Sequence, residues 1–181
     1  MKKAYFDLVK EMVASGDRNH CIWKWKDPYG DYPDRYFACD SYRILELAES
    51  VEGIPVKETE KNQGIPDLCV RYMKEAFQGD KTICELPSAE EIKEGIRSVR
   101  GRKYSIPVAV RYNENRAVYN ASYILEGMTA LKATAFYSEE GNLRSPAWMF
   151  HRDDFGATIK YMILPIMNDG NIGYFTFKKG E

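Results

Sequence analysis

Residues 118–166 read VYNASYILEGMTALKATAFYSEEGNLRSPAWMFHRDDFGATIKYMILPI, and the periodicity in this stretch decides the architecture. Asn120 suits a helix N-cap, because its side-chain oxygen can accept from backbone N–H groups that lack an intrahelical partner. From there to about Leu131 the residues Ile124, Leu125, Met128 and Leu131 recur at helical spacing, which predicts a helix with one buried face. Three apolar runs follow, ATAFY, LRSPAWMF and ATIKYMILPI, separated by the polar segments SEEGN and HRDDFG. Runs of this length bounded by turn residues predict three successive strands.

HRDDFG, His151 to Gly156, fuses two tripeptides found in protein kinases. In a kinase the two aspartates act from separate loops, one accepting a proton and the other holding magnesium, so adjacent Asp153 and Asp154 cannot reproduce them. No glycine-rich phosphate loop accompanies the motif, and no asparagine follows at the required distance. Acidic residues and a glycine between two apolar strands are instead turn chemistry, with His151 and Arg152 as solvated loop residues. The enzyme alternative is a small metal-dependent hydrolase built on His151, Asp153 and Asp154, although two neighbouring carboxylates without a third ligand make a poor cation site.

Working outward, residues 3–14 place Tyr5, Leu8, Val9, Met12 and Val13 on one helical face, and Gly16 suits the C-terminal end. HCIWKWK then alternates Cys21, Trp23 and Trp25 against Ile22, Lys24 and Lys26, a strand with one buried face. DPYGDYPD is a loop, and RYFAC and YRILEL are two strands joined tightly at Asp40-Ser41. Helix and three strands thus occur near both ends, which suggests a duplicated unit without a literal repeat.

The middle differs. Residues 49–64 are polar and turn-prone; Pro66 opens a helix carrying Cys69, Tyr72, Met73, Ala76 and Phe77. TICEL is a short strand, and Ser88 with Glu91 is a capping box for a helix that buries Ile92, Ile96 and Val99. Lys93, Arg97 and Arg100 share another face of that helix, with Arg102 and Lys103 beyond, a stripe that reads either as a solvated face or as a phosphate-contacting arm. YSIPVAVRY is a further strand, with Pro107 favouring an edge or a bulge.

With 26 basic and 27 acidic residues, overall charge points neither toward nor away from a polyanion. A chain of 181 residues buries roughly two-thirds of its unfolded surface and needs no metal or disulfide staple. Cys21, Cys39, Cys69 and Cys84 form no CxxC pair, so reduced thiols, no metal, no cofactor and a cytoplasmic location are expected. No run reaches the roughly 20 apolar residues of a membrane span, and the opening MKKAYFDLVKEMV is amphipathic rather than signal-like.

Residues 118–138 and 143–166 resemble the last half-domain of the bacterial sliding clamp, the beta subunit of the replicative DNA polymerase. The matching features are Asn120, Tyr123, Ile124 and Leu125, then Ser145-Pro146, the acidic turn at Asp153-Asp154, and the closing strand Tyr161 to Ile166. ACDSYRILEL, residues 38–47, is similar to the middle-domain motif of that family at Asp40, Arg43 and Ile44, and departs from it at Cys39, Ser41 and Tyr42. The resemblance covers about residues 4–47 and 117–167. Residues 49–116 have no aligned counterpart and read as an insertion, and 168–181 as an extension.

The resemblance implies an α+β clamp-type domain over residues 1–181, with two helices packed on antiparallel sheets and a partly helical insertion. It implies a non-enzymatic replication accessory protein that binds double-stranded DNA and polymerase-type partners, with a ring of about six copies closing head to tail. The partner groove would fall to Cys39, Tyr42, Arg43 and Ile44 on one side and Met162, Ile163, Leu164, Pro165 and Ile166 on the other. Ile163 and Leu164 read equally as strand core. DNA contacts would come from Lys2, Lys3 and Lys10 on the first helix and Lys132 after the other, with Lys93, Arg97 and Arg100 as the candidate arm. A monomeric or dimeric adaptor, or a clamp antagonist, shares the same fold and groove. The alternation in NDGNIGYFTFKKGE predicts a terminal strand, placed at a sheet edge or over the groove.

Overall fold

The computed structural model describes residues 2–15, 20–58, 64–76, 78–79, 81–100, 109–111, 117–152, 158–166 and 174–176. Helix α1 (Lys2–Ser15) leads into strands β1 (Ile22–Trp25), β2 (Arg35–Cys39) and β3 (Arg43–Leu47). Then come β4 (Val56–Glu58), α2 (Ile65–Glu75), β5 (Lys81–Glu85), α3 (Ala89–Arg100), β6 (Ala109–Arg111) and β7 (Val118–Asn120). Helix α4 (Ala121–Leu131), β8 (Ala135–Glu139), β9 (Ala147–Arg152), β10 (Thr158–Ile163) and β11 (Tyr174–Thr176) complete the order. The α+β class expected from the sequence is therefore present.

One sheet runs β4-β1-β2-β3-β10-β9-β8-β5. Its order is a palindrome about the β3–β10 seam, so α1-β1-β2-β3 and α4-β8-β9-β10 are the two halves of one pseudo-symmetric layer. At the seam the strands are antiparallel, with Ile44 opposite Met162 and Leu45 opposite Tyr161. Glu46 of β3 sits between Arg35 of β2 at 2.7 Å and Lys160 of β10 at 3.5 Å, which carries ion pairing across the join. The sheet is mixed rather than wholly antiparallel, because β4 pairs parallel to β1. All three β4 residues are exposed, so the polar segment 49–64 offers no alternation from which to read this edge strand.

Side chains alternate across the sheet. On one face Leu45, Tyr161 and Ile163 join Leu8, Val9 and Met12 of α1 and Ile124 and Leu131 of α4 in a single core. The two helices touch each other. Asn120 caps α4 as anticipated, its Oδ1 accepting from the Ser122 N–H at 3.0 Å. Gly127 lies where α4 presses on the seam: a Cβ there would stand 2.9 Å from Tyr161 Cδ1 and inside contact range of Met149 Sδ. On the other face Ile44, Met162, Trp23, Phe37 and Trp148 form a second core with Cys69, Val70 and Met73 of α2. This covering corrects the reading of β1 as half-exposed, since Ile22 is buried toward α1 and Cys21 and Trp23 are buried under α2.

The segment read as an insertion contributes to both layers. β5 pairs with β8 in the main sheet, and α3 packs against α4. Its capping box forms as read: the Ser88 N–H donates to Glu91 at 2.7 Å and the Glu91 N–H donates to Ser88 Oγ at 3.3 Å. β11 pairs parallel with β6, which pairs with β7 in a three-stranded sheet, so these terminal residues take the edge position.

Candidate partner-binding groove

The floor of the groove is made by the seam. Because side chains alternate, Met162 and Leu164 face α2 while Ile163 faces the helices α1 and α4. Leu164 holds the register by donating its N–H to the Tyr42 carbonyl at 2.8 Å. Cys39, Ile44, Met162 and Leu164 consequently line one cavity of about 260 Å³.

Its far wall is α2, through Ile65, Leu68, Cys69 and Tyr72. Pro66 fits the first turn of α2, where a missing N–H costs nothing, and Gly64 supplies the entry at φ 105°. Pro66, Cys69, Val70 and Met73 form the buried stripe. Trp25 Nε1 donates to Asp67 Oδ1 at 2.9 Å and fastens the helix to β1. Val13, His20 and Ser41 also line it, and of these His20 and Ser41 are exposed at the mouth. His20 adopts a left-handed backbone at φ 41°, and its Nδ1 lies 3.2 Å from the Val13 carbonyl. Leu68 remains well exposed at the rim.

Arg43 belongs to the cavity wall, but its guanidinium is committed elsewhere. The side chain is 1% exposed and is paired with Asp40 at 2.7 Å, Glu11 of α1 at 3.2 Å, and Glu126 of α4. It also stacks 4.0 Å from the Tyr123 ring centroid. One cation thus faces three carboxylates drawn from α1, the β2–β3 turn and α4. Burial pushes the Glu126 carboxyl up to about 7, reinforced by Glu11 and Asp40 and opposed by Arg43. Burial likewise raises the Tyr161 phenol well above its ordinary range. Arg43 therefore positions the two halves instead of presenting a charge to a ligand.

The other sequence candidates divide. Tyr42 is exposed and lies outside the cavity lining, and Ile166 is used in backbone pairing with Val118, to whose carbonyl its N–H donates at 2.7 Å. Pro165 is half-buried outside the lining. Lys3 and Lys10 are exposed on α1, and Lys132 is exposed at the left-handed C-cap of α4. On α3 both Lys93, at 2.6 Å, and Arg97, at 3.8 Å, pair with Glu90. For Lys2 and Arg100 only the helical backbone is described, and Arg102 and Lys103 lie outside the described residues.

The residues missed in the sequence reading were those of α2 and the mouth. Cys69 and Tyr72 are legible in the sequence as part of a helical apolar stripe, but nothing local says which surface that stripe covers.

His151 and Arg152 of HRDDFG are the last two residues of β9 rather than loop residues. β9 and β10 are antiparallel from Ala147 opposite Ile163 to Arg152 opposite Thr158, while Asp153 and Asp154 fall outside the described residues. His151 is half-buried on β9 rather than solvated, because its Nδ1 approaches the Leu131 carbonyl at the end of α4, 2.9 Å away. Among the described residues no three His, Cys, Asp or Glu side chains are grouped to hold a metal ion, and no helix is long and apolar enough to cross a membrane.

The chain is similar to solved bacterial sliding clamps. The beta subunit of DNA polymerase from Streptococcus pyogenes matches with a TM-score of 0.48 at 10% identity, over 90% of this chain and 64% of that one. A C. crescentus beta sliding clamp matches with a TM-score of 0.44 at 13% identity, over 91% and 64%. The Helicobacter pylori beta clamp matches with a TM-score of 0.35 at 17% identity, over 76% and 42%. The chain thus spans less than two-thirds of the length of these clamp subunits. No protein-family model and no curated protein matches it.

Proposed function

We propose that the protein is a non-catalytic, clamp-like DNA replication accessory factor of the cytoplasm that receives a short apolar segment of a polymerase-type partner in the α2-walled groove. The observation that carries this reading is the β3–β10 seam. It brings the motif ACDSYRILEL beside YMILPI, more than a hundred positions away, so that Cys39, Ile44, Met162 and Leu164 share one apolar cavity. An extended peptide gains affinity chiefly from a few anchors in desolvated pockets, and an apolar cavity with an exposed leucine at its rim fits that mode.

Titration of a fluorescent short apolar peptide into the full chain tests the groove. Saturable binding is expected, with Leu68→Asp weakening it at least tenfold and Leu143→Asp, at an exposed site outside the cavity lining, leaving it unchanged. Binding that ignores Leu68→Asp, or none at all, overturns the reading.

The adaptor or antagonist reading keeps the groove and omits DNA, and the pairing of Lys93 and Arg97 with Glu90 favours it for α3. Light scattering with retention on circular against linear DNA separates the two. An assembled ring retained only on circles supports sliding; a monomer or dimer without retention supports the adaptor.

A further inference from the structure

Two thiols meet in the groove. Cys39, at the end of β2, and Cys69, in the second turn of α2, line the same cavity and pack in the same apolar cluster. Both are free thiols; Cys69 is buried and Cys39 half-buried. Each thiol shifts the titration of the other, which places the two sulfurs close together in that cavity. We propose that Cys39 and Cys69 are an oxidation site, at which a low-molecular-weight disulfide such as glutathione disulfide installs a Cys39–Cys69 disulfide that ties α2 to the groove floor.

The roles within the pair follow from their surroundings. The Cys69 side chain holds the Cys39 thiol below its ordinary range, so Cys39 is the readier of the two to give up its proton and attack. Cys39, then burial, pushes Cys69 far up. The half-buried, lower-range sulfur is the one an incoming disulfide reaches. Cys39 attacks one glutathione sulfur, the S–S bond breaks, and one glutathione leaves as thiolate. Cys69 then passes its proton to that leaving thiolate, and its sulfur attacks Cys39 and expels the second glutathione. Two protein thiols are oxidised and one small disulfide is reduced to two thiols, so atoms and electrons balance.

Cys21 is the internal competitor, since it lines the same cavity and lies close enough to Cys39 to feel its charge. Cys21 sits on β1, within the same sheet as β2, so a bond between Cys21 and Cys39 would leave α2 untied. The pairing partner is therefore what the experiment must resolve. Nothing in the site depends on what fills the groove.

The full chain is equilibrated with glutathione at several ratios of disulfide to thiol, quenched by alkylation, and read by intact mass and peptide mapping. The expected result is a mass loss of two hydrogens and a cross-linked peptide joining Cys39 to Cys69, with Cys21 and Cys84 alkylated. C69S is expected to stop at one glutathione on Cys39, while C21S cross-links like the unaltered chain. Should C69S fail to fold, C39S supplies the complementary loss, and the map of the unaltered chain decides alone. A persistent glutathione adduct without a cross-link, a cross-link through Cys21 or Cys84, or a fully alkylated chain at every ratio would each overturn the assignment.

Discussion

Replacing Arg43 by methionine removes the cation that meets carboxylates from α1, the β2–β3 turn and α4, while keeping a long apolar stem. The three carboxylates left behind differ in what they lose, since the Asp40 side chain is 4% exposed, Glu126 26% and Glu11 55%. Glu11 is largely solvated and contributes no more than about 1 kcal/mol. Asp40 is left as an uncompensated buried charge beside a half-buried Glu126 that has lost its cation, and breaking such a pair from one side costs about 3–5 kcal/mol. Typical domains are stable by only about 5–15 kcal/mol, so R43M should lose a large share of its stability near pH 7.5. Urea unfolding followed by tryptophan fluorescence measures this. Arg43 is among the groups that hold the Glu126 carboxyl down, so in R43M that carboxyl keeps its proton to higher pH than in the unaltered chain; the deficit should be largest in alkaline solution and shrink as pH falls toward 7, and adding Asp40→Asn with Glu126→Gln should recover most of it. A loss under about 1 kcal/mol, or one that does not change with pH, would refute the role given to Arg43 as the link between the halves.

Glu126→Gln alone isolates the pH response. Glu126 is raised from 4.5 to about 7 by burial, so between those values the native state keeps a proton that the unfolded chain has released. Stability must then fall as pH rises through that window, by up to about 3 kcal/mol at 1.36 kcal/mol per unit, and the glutamine variant should flatten this slope in urea midpoints measured from pH 4.5 to 8. Gly127→Ala gains about 1 kcal/mol of helix propensity but sets a methyl 2.9 Å from the buried Tyr161 ring and against Met149. Overpacking of this kind costs about 1–3 kcal/mol, so a lower thermal midpoint is expected, and an unchanged or higher one would mean that α4 does not press on the seam. Asn120→Ala removes the oxygen that accepts from Ser122 and should cost about 1 kcal/mol, visible in the same unfolding curves.

What the sequence made legible was whatever repeats over a few residues. α1, α3 and α4 each bury a stripe, and the strands β1–β3 and β8–β10 are short apolar runs between turn residues, so local pattern finds them even where, as in β1, β3 and β10, both faces are covered. Capping at Asn120 and Ser88 is equally local. β4 escaped because an exposed three-residue edge strand buries nothing and therefore has no pattern to show. The Ile163 ambiguity, groove or core, was settled only by the seam: register with β3 turns Met162 toward α2 and Ile163 toward α1 and α4, and no property of the single strand chooses between those faces.

Arg43 and α2 show the same limit where it bears on function. Arginine in a motif reads as an accessible charge, since a lone guanidinium is rarely buried. It is buried here because Glu11, Asp40 and Glu126, scattered along the chain, converge on it, and such convergence is a property of the assembled halves alone. The α2 stripe, likewise, announces that the helix must cover something without saying what. It covers the seam beside the predicted groove, so the cavity is an open-mouthed slot of about 260 Å³ with a helical wall rather than a bare furrow between strands. A partner segment must therefore either fit that slot or move α2, and the attachment of α2 to the sheet, through Trp25 to Asp67 and through the Cys39–Cys69 contact, sets how readily the second can happen.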